Sequence, residues 1–164
     1  MSKIDSTPTG QTAAVGNLYA EDFYAWTQAQ AELLRHGAWS QLDLPNLIDE
    51  IESLGKQQRQ ELRNCLSVLI GHLLKWQHQP QNRSRIWLAT LRIQRLDIVD
   101  LLDDNPSLKP YLAEAVGKAY LKGIELASGE TNLPSRTFPS QCSYSLAELL
   151  DASFFPGEPS DLIA

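Results

Sequence analysis

Between Asn64 and Leu74 the chain runs eleven residues without a formal charge, and the apolar positions in and around this run recur at helical spacing. Counted at about 100° per residue, Leu62, Cys65, Leu66, Leu69, Leu73 and Trp76 share one face, and Val68, Ile70 and Leu74 widen it beyond a single stripe. A helix that is apolar on most sides has to be surrounded by other elements. The pattern therefore predicts a central helix, roughly Lys56 to Gln77, with others packed around it.

The rest of the chain supplies those neighbours. Apolar periodicity is helical throughout, and no run of alternating β-branched residues is long enough to nominate a strand. A first helix is expected from Asn17–Glu21 to Arg35 and His36, with Gly37 beyond its end and Phe23, Trp26, Leu33 and Leu34 turned inward. A second opens near Asp43 to Pro45, carries Leu44, Leu47, Ile48, Ile51 and Leu54 on one stripe, and ends or kinks at Gly55. After a turn over Gln77 to Asn82, a fourth runs from Arg83 or Ser84 to Asp103, with Trp87, Leu88, Leu91, Ile98, Leu101 and Leu102 inward. A fifth follows from Ser107 and fades near Ser128 and Gly129. Beyond Leu133 the chain is rich in Pro and Ser, with Phe138, Tyr144, Phe154 and Phe155 as anchors and one short helix announced by the Ser145/Glu148 capping box. The expectation is an all-α fold. It is a single-domain helical bundle of about five main helices (17–132), preceded by a disordered arm (1–16) and followed by an irregular tail (133–164) wrapping the bundle.

Composition sets the remaining bounds. At 164 residues and 43% hydrophobic content the chain suits one domain with a proper core. The first sixteen residues lack the apolar stretch of a secretory signal, and the best membrane candidate, Leu66 to Trp76, is interrupted by Ser67, Gly71, His72 and Lys75. Cys65 and Cys142 form neither a disulfide framework nor a metal pair. The chain is thus expected to be soluble and cytoplasmic, with no membrane partner. A net charge of -6 disfavours indiscriminate polyanion binding but leaves room for a local basic patch.

Charge is sorted sharply along the sequence. From Leu62 to Leu96 lie Arg63, Lys75, Arg83, Arg85, Arg92 and Arg95 with two histidines and no carboxylate, so all 20 Asp/Glu fall elsewhere. Either this segment is neutralised inside the fold or it stands outside as an anion-binding face.

The segments LYAEDFYAW, LPNLIDEIESLG, HLLKWQHQPQNRSRIW and SYSLAELLDASFFP resemble a bacterial family, abundant in cyanobacteria, catalogued as domain of unknown function number twenty-nine. The likeness covers about Asn17 to Pro156, and the HLLKWQ and RSRIW block is its most specific part. It implies an almost wholly helical fold and a bacterial origin, and it brings no activity, substrate or catalytic residue.

Several residues are candidates for chemistry. Arg83 and Arg85 sit at a helix N-terminus, where cations oppose the macrodipole, so an anion held with Lys75 between Trp76 and Trp87 would compensate them. The alternative is that the tryptophans are core and the arginines pair with Asp49, Glu52 or tail carboxylates. His72 lies in the inward stripe of the third helix, either as a core histidine bonded to a carboxylate or carbonyl or as a functional base. Arg95 projects from the stripe of Leu91, Ile98 and Leu102, so it must be paired, and Glu50 or Glu52 of the second helix is the partner expected, with Glu50 the candidate for the buried pair. His72 and His78 are six apart and point in different directions. Asp49/Glu52 and Asp97/Asp100/Asp103 are acid spacings with no flanking histidine, so no metal site and no cofactor is expected. No Gly-rich phosphate loop and no nucleophile-base ordering appears.

Three functional readings follow. The first is a binding module whose basic, Trp-flanked turn meets an acidic protein or a nucleic acid, through His72, Lys75, Trp76, Arg83 and Arg85. The second is an enzyme on a phosphorylated or nucleic-acid substrate, with His72 as acid/base and Arg95 and Glu50 orienting it. The third is a structural or oligomerisation protein whose basic segment is consumed internally. Oligomeric state is not legible in the sequence.

Overall fold

The computed structural model describes residues 18–163; the arm expected over 1–16 lies outside them. Among the described residues there is no strand, and the fold is all-α. The chain divides into two compact units between Gly55 and Lys56.

In the first unit, residues 18–21 make a helical turn and α1 spans Phe23–Arg35. Asp22 caps it by accepting from the Ala25 N–H at 3.0 Å. Gly37, at φ 65°, closes it: its N–H reaches the Leu34 carbonyl at 3.2 Å and the Ala38 N–H the Leu33 carbonyl at 2.9 Å. This double bond is a Schellman ending, which requires the left-handed backbone that glycine adopts without penalty. A short 3-10 turn, Trp39–Gln41, leads to α2, Leu44–His78. Two side chains of α1 hold the entry to α2. Gln30 Oε1 accepts from the Asp43 N–H at 2.8 Å, and Trp26 Nε1 donates to the Asp43 carboxylate at 3.0 Å.

Two expectations for this unit are corrected. Trp26 is buried, but Phe23 and Leu34 are 49% and 44% exposed, and Leu44, Ile48, Ile51 and Leu54 all stand more than half exposed. Helical spacing puts residues on one face; it does not supply an element to cover that face. Nor does Gly55 end a helix: α2 runs through it for 35 residues in all. One interior glycine costs only about 1 kcal/mol against alanine, and neither a proline nor a turn cluster follows it.

In the second unit the later part of α2 is the buried centre, as its uncharged run predicts. Leu62, Leu66, Leu69, Ile70, Leu73, Leu74 and Trp76 are at most 1% exposed. After the 3-10 turn Pro80–Asn82, α3 spans Arg85–Asp104, capped by Ser84, and buries Leu88, Leu91, Arg95, Ile98 and Leu102. The fifth expected helix divides: a 3-10 segment, Pro106–Tyr111, precedes α4, Leu112–Thr131. Pro110 explains this, since it offers no N–H to an α-helical ladder. The helix α4 crosses α2 at Gly71 and Gly123. A Cβ on Gly123 would lie 2.9 Å from Ile70 Cγ2 and 3.2 Å from the Gly71 nitrogen.

The chain beyond α4 returns over this core. Phe138 and Tyr144 are buried, and Phe154 and Phe155 pack against the cluster half-buried. The capping box of Ser145 and Glu148 opens α5, Leu146–Leu150, as read from the sequence. Among the described residues no helix is long and apolar enough to cross a membrane.

Candidate functional site

The cationic segment enters the second unit along α2, the Pro80–Asn82 turn and α3, and two of its six cations, Arg83 and Arg95, are spent on the returning tail. Arg83 donates through Nε to the Trp76 carbonyl at 2.8 Å and through Nη1 to the Glu158 carbonyl at 2.6 Å, with longer contacts to Pro159 and Pro156 at 3.4 Å each. Its guanidinium also lies 4.9 Å from the centre of the Trp76 ring. The tail turns at Gly157, φ 85°, where a Cβ would stand 3.2 Å from Arg83 Nη2. That close approach and that backbone both call for glycine.

Arg95, 3% exposed, does the same one turn of tail earlier. Its Nε donates to the Leu149 carbonyl at 2.9 Å, and its Nη2 to those of Phe154 at 2.8 Å and Glu148 at 3.3 Å. Phe155 packs 5.5 Å from the guanidinium, whose Nη1 is buried without a partner. Burial pushes the Arg95 pKa down from its ordinary value, opposed by the charge of Asp151. Glu50, the partner considered from the sequence, belongs to the first unit. Glu50 accepts from the Tyr19 hydroxyl at 2.6 Å.

Lys75 is 1% exposed, ion-paired with Glu130 of α4, and held 4.2 Å from the Trp87 ring centre. Trp76 is fully buried against Phe155, and its Nε1 has no partner among the described residues. His72, 8% exposed, bonds through Nδ1 to the Val68 carbonyl at 3.0 Å. A carbonyl only accepts, so Nδ1 carries a proton. Burial, then the nearby Lys75 charge, hold its pKa below 6.5. A base for catalysis needs reach to a substrate, and this imidazole is nearly sealed and tied to the backbone. Arg63 donates to the Tyr111 hydroxyl and Gln60. Of the six cations, only Arg85 and Arg92 stay exposed, both on α3.

The fold thus brings His72, Lys75, Trp76 and Arg83 to one end of α2 and leaves Arg85 outside the cluster. The sequence offers Arg83 a bound anion or a carboxylate and Arg95 a carboxylate, whereas their acceptors are backbone carbonyls, one on Trp76 and the others in α5 and the tail. The signal for them was the Phe-Phe-Pro-Gly turn at residues 154–157, since irregular backbone leaves carbonyls without a ladder to fill. Elsewhere, an open groove of about 750 Å³ runs beside α4 between Leu121, Ile124, Arg136 and Phe138, and none of the candidate residues lines it. Among the described residues no group of three or more His, Cys, Asp or Glu could hold a metal ion.

Residues 18–155 match the family model described as Domain of unknown function DUF29, and the chain belongs to that family. No curated protein matches it. No solved structure matches it either.

Proposed function

We propose that this member of the DUF29 family is an assembly module that acts through helix faces, its basic segment serving to fasten its own tail. The observation that carries this reading is the outer face of α3. Ile86, Ala89, Ile93 and Leu96 follow one another at spacings of three and four, the pattern of a two-helix seam. Ile86, Ile93 and Leu96 are 77%, 52% and 63% exposed. Arg85 and Arg92 line one edge of this seam and Thr90 and Asp97 the other. A second copy of the chain laid alongside in parallel brings Arg92 of one opposite Asp97 of the other, five residues on, which is how charged residues flanking a seam set orientation. Asp100 and Asp103 end the stripe after about two heptads, so the association is weak and concentration-dependent. The setting we infer is the bacterial cytoplasm; the family resemblance supports the first word, and the two free cysteines, Cys65 and Cys142, agree with the second.

Sedimentation velocity across a concentration series tests this. The wild type is expected to move from monomer toward dimer, Ile93→Asp to stay monomeric, and Arg92→Asp to weaken the dimer until Asp97→Arg is added. A wild type that stays monomeric throughout, or a dimer indifferent to Ile93→Asp, contradicts it.

A further inference from the structure

The first unit has an apolar face of its own, separate from α3. Of α1 only Trp26 and Gln30 are buried, whereas Leu44, Ile48, Ile51 and Leu54 on the first three turns of α2 are 53%, 54%, 66% and 61% exposed. Two helices alone bury too little to make a core, and units below about 40 residues usually lean on something further. The four aliphatics, with half-buried Leu47 beside them, make one ridge at spacings of three and four, the shape that receives an amphipathic helix.

Charge selects the occupant. Residues 18–55 hold Glu21, Asp22, Glu32, Asp43, Asp49, Glu50 and Glu52 against the single Arg35, which pairs with Glu32. Glu50 and Glu52 flank the ridge on either side, each about 100° from Ile51 around the helix. Two copies of this face would set like charge against like, which costs rather than stabilises. We propose that the α2 face formed by Leu44, Ile48, Ile51 and Leu54 is a docking site for a basic amphipathic helix of a partner protein. The apolar ridge supplies the contact area, and the carboxylate rim supplies orientation, rate of encounter and discrimination against acidic helices.

The probe is a pair of synthetic helical peptides with one identical Leu face, the other positions being Lys in one and Glu in its counterpart. Fluorescence anisotropy of the labelled peptides is followed against the full chain. The Leu/Lys peptide is expected to bind, to weaken about tenfold or more between low and high salt as rim charges are screened, and to lose binding in Ile48→Asp plus Ile51→Asp. The Leu/Glu peptide is expected not to bind. Both replaced residues are exposed, so the variant should keep its helical circular dichroism. Ile93→Asp on α3 should bind the Leu/Lys peptide as the wild type does, which separates this face from the assembly face. Equal binding of both peptides, no binding of either, or binding unchanged in the double variant overturns the proposal. So does self-association of the wild type that the double variant, and not Ile93→Asp, abolishes, since a second copy would then be the occupant.

Discussion

At the scale of the residue, the chain settles its buried charges in two different ways. Lys75 meets a carboxylate, Glu130, while Arg83 and Arg95 meet backbone carbonyls. A guanidinium suits the second arrangement because its five donors fan out in a plane from three nitrogens, so one side chain reaches carbonyls at separate places in the tail. That a buried Arg95 must be paired was legible from its place in an apolar stripe. Which carbonyls it meets was not, because every residue carries one and the irregular backbone at residues 154–157 marks only where unfilled ones lie. Histidine 72 shows the same limit: its helix face was readable, and its bond to Val68 was one of several open to it. Because burial and Lys75 depress its pKa, the native state binds fewer protons than the unfolded chain once pH drops below about 6.5. The neutral ring's contribution is therefore fully present above the unfolded pKa and is lost as pH falls through the lower folded one. Glu130 opposes the shift, and His78, depressed by burial, adds its own part. Chemical denaturation at stepped pH should show stability falling from pH 7 toward pH 5, with a shallower fall in His72→Gln; an unchanged slope in that variant would contradict the assignment.

Among the elements, what sets the position of α4 on α2 is the pair Gly71 and Gly123. A Cβ on Gly123 meets the Gly71 backbone nitrogen at 3.2 Å, and backbone does not step aside as a flexible side chain does. Gly123→Ala is thus expected to cost about 1–3 kcal/mol by overpacking. By contrast Gly117, on the same helix with nothing within 4 Å, should gain up to about 1 kcal/mol on becoming alanine. Urea denaturation of the two variants checks both signs, and equal effects would show that the crossing is not tight. Helix existence was legible in the periodicity, and the capping box of Ser145 was legible in the motif. Helix crossings were not, because a glycine at a close approach looks in sequence like a glycine at a stop. Gly55, expected to end or kink a helix, sits inside α2, while Gly123 carries no signal of its own in the sequence and marks the close approach of two helices.

For the molecule as a whole, two of the six sorted cations, Arg83 and Arg95, fasten the chain to itself. The tail is Pro- and Ser-rich and includes one short helix, so it cannot organise itself; aromatic anchors and two arginines give it a place on the core. Runs of exposed aliphatic side chains lie on α3 and on the first turns of α2, which is why the functional reading rests on helix faces. The fastening can be measured by native-state hydrogen exchange of the full chain, comparing α5 and residues 151–163 in the wild type and in Arg95→Met, with Arg83→Ala alongside. Hydrogen bonds to a charged group contribute about 1.5–3 kcal/mol each, so the account predicts a protected tail in the wild type. In either variant that protection should fall by a factor of ten or more, while the amides of α2 and α4 keep theirs. A tail that exchanges freely in the wild type, or one whose protection survives both substitutions, would contradict it.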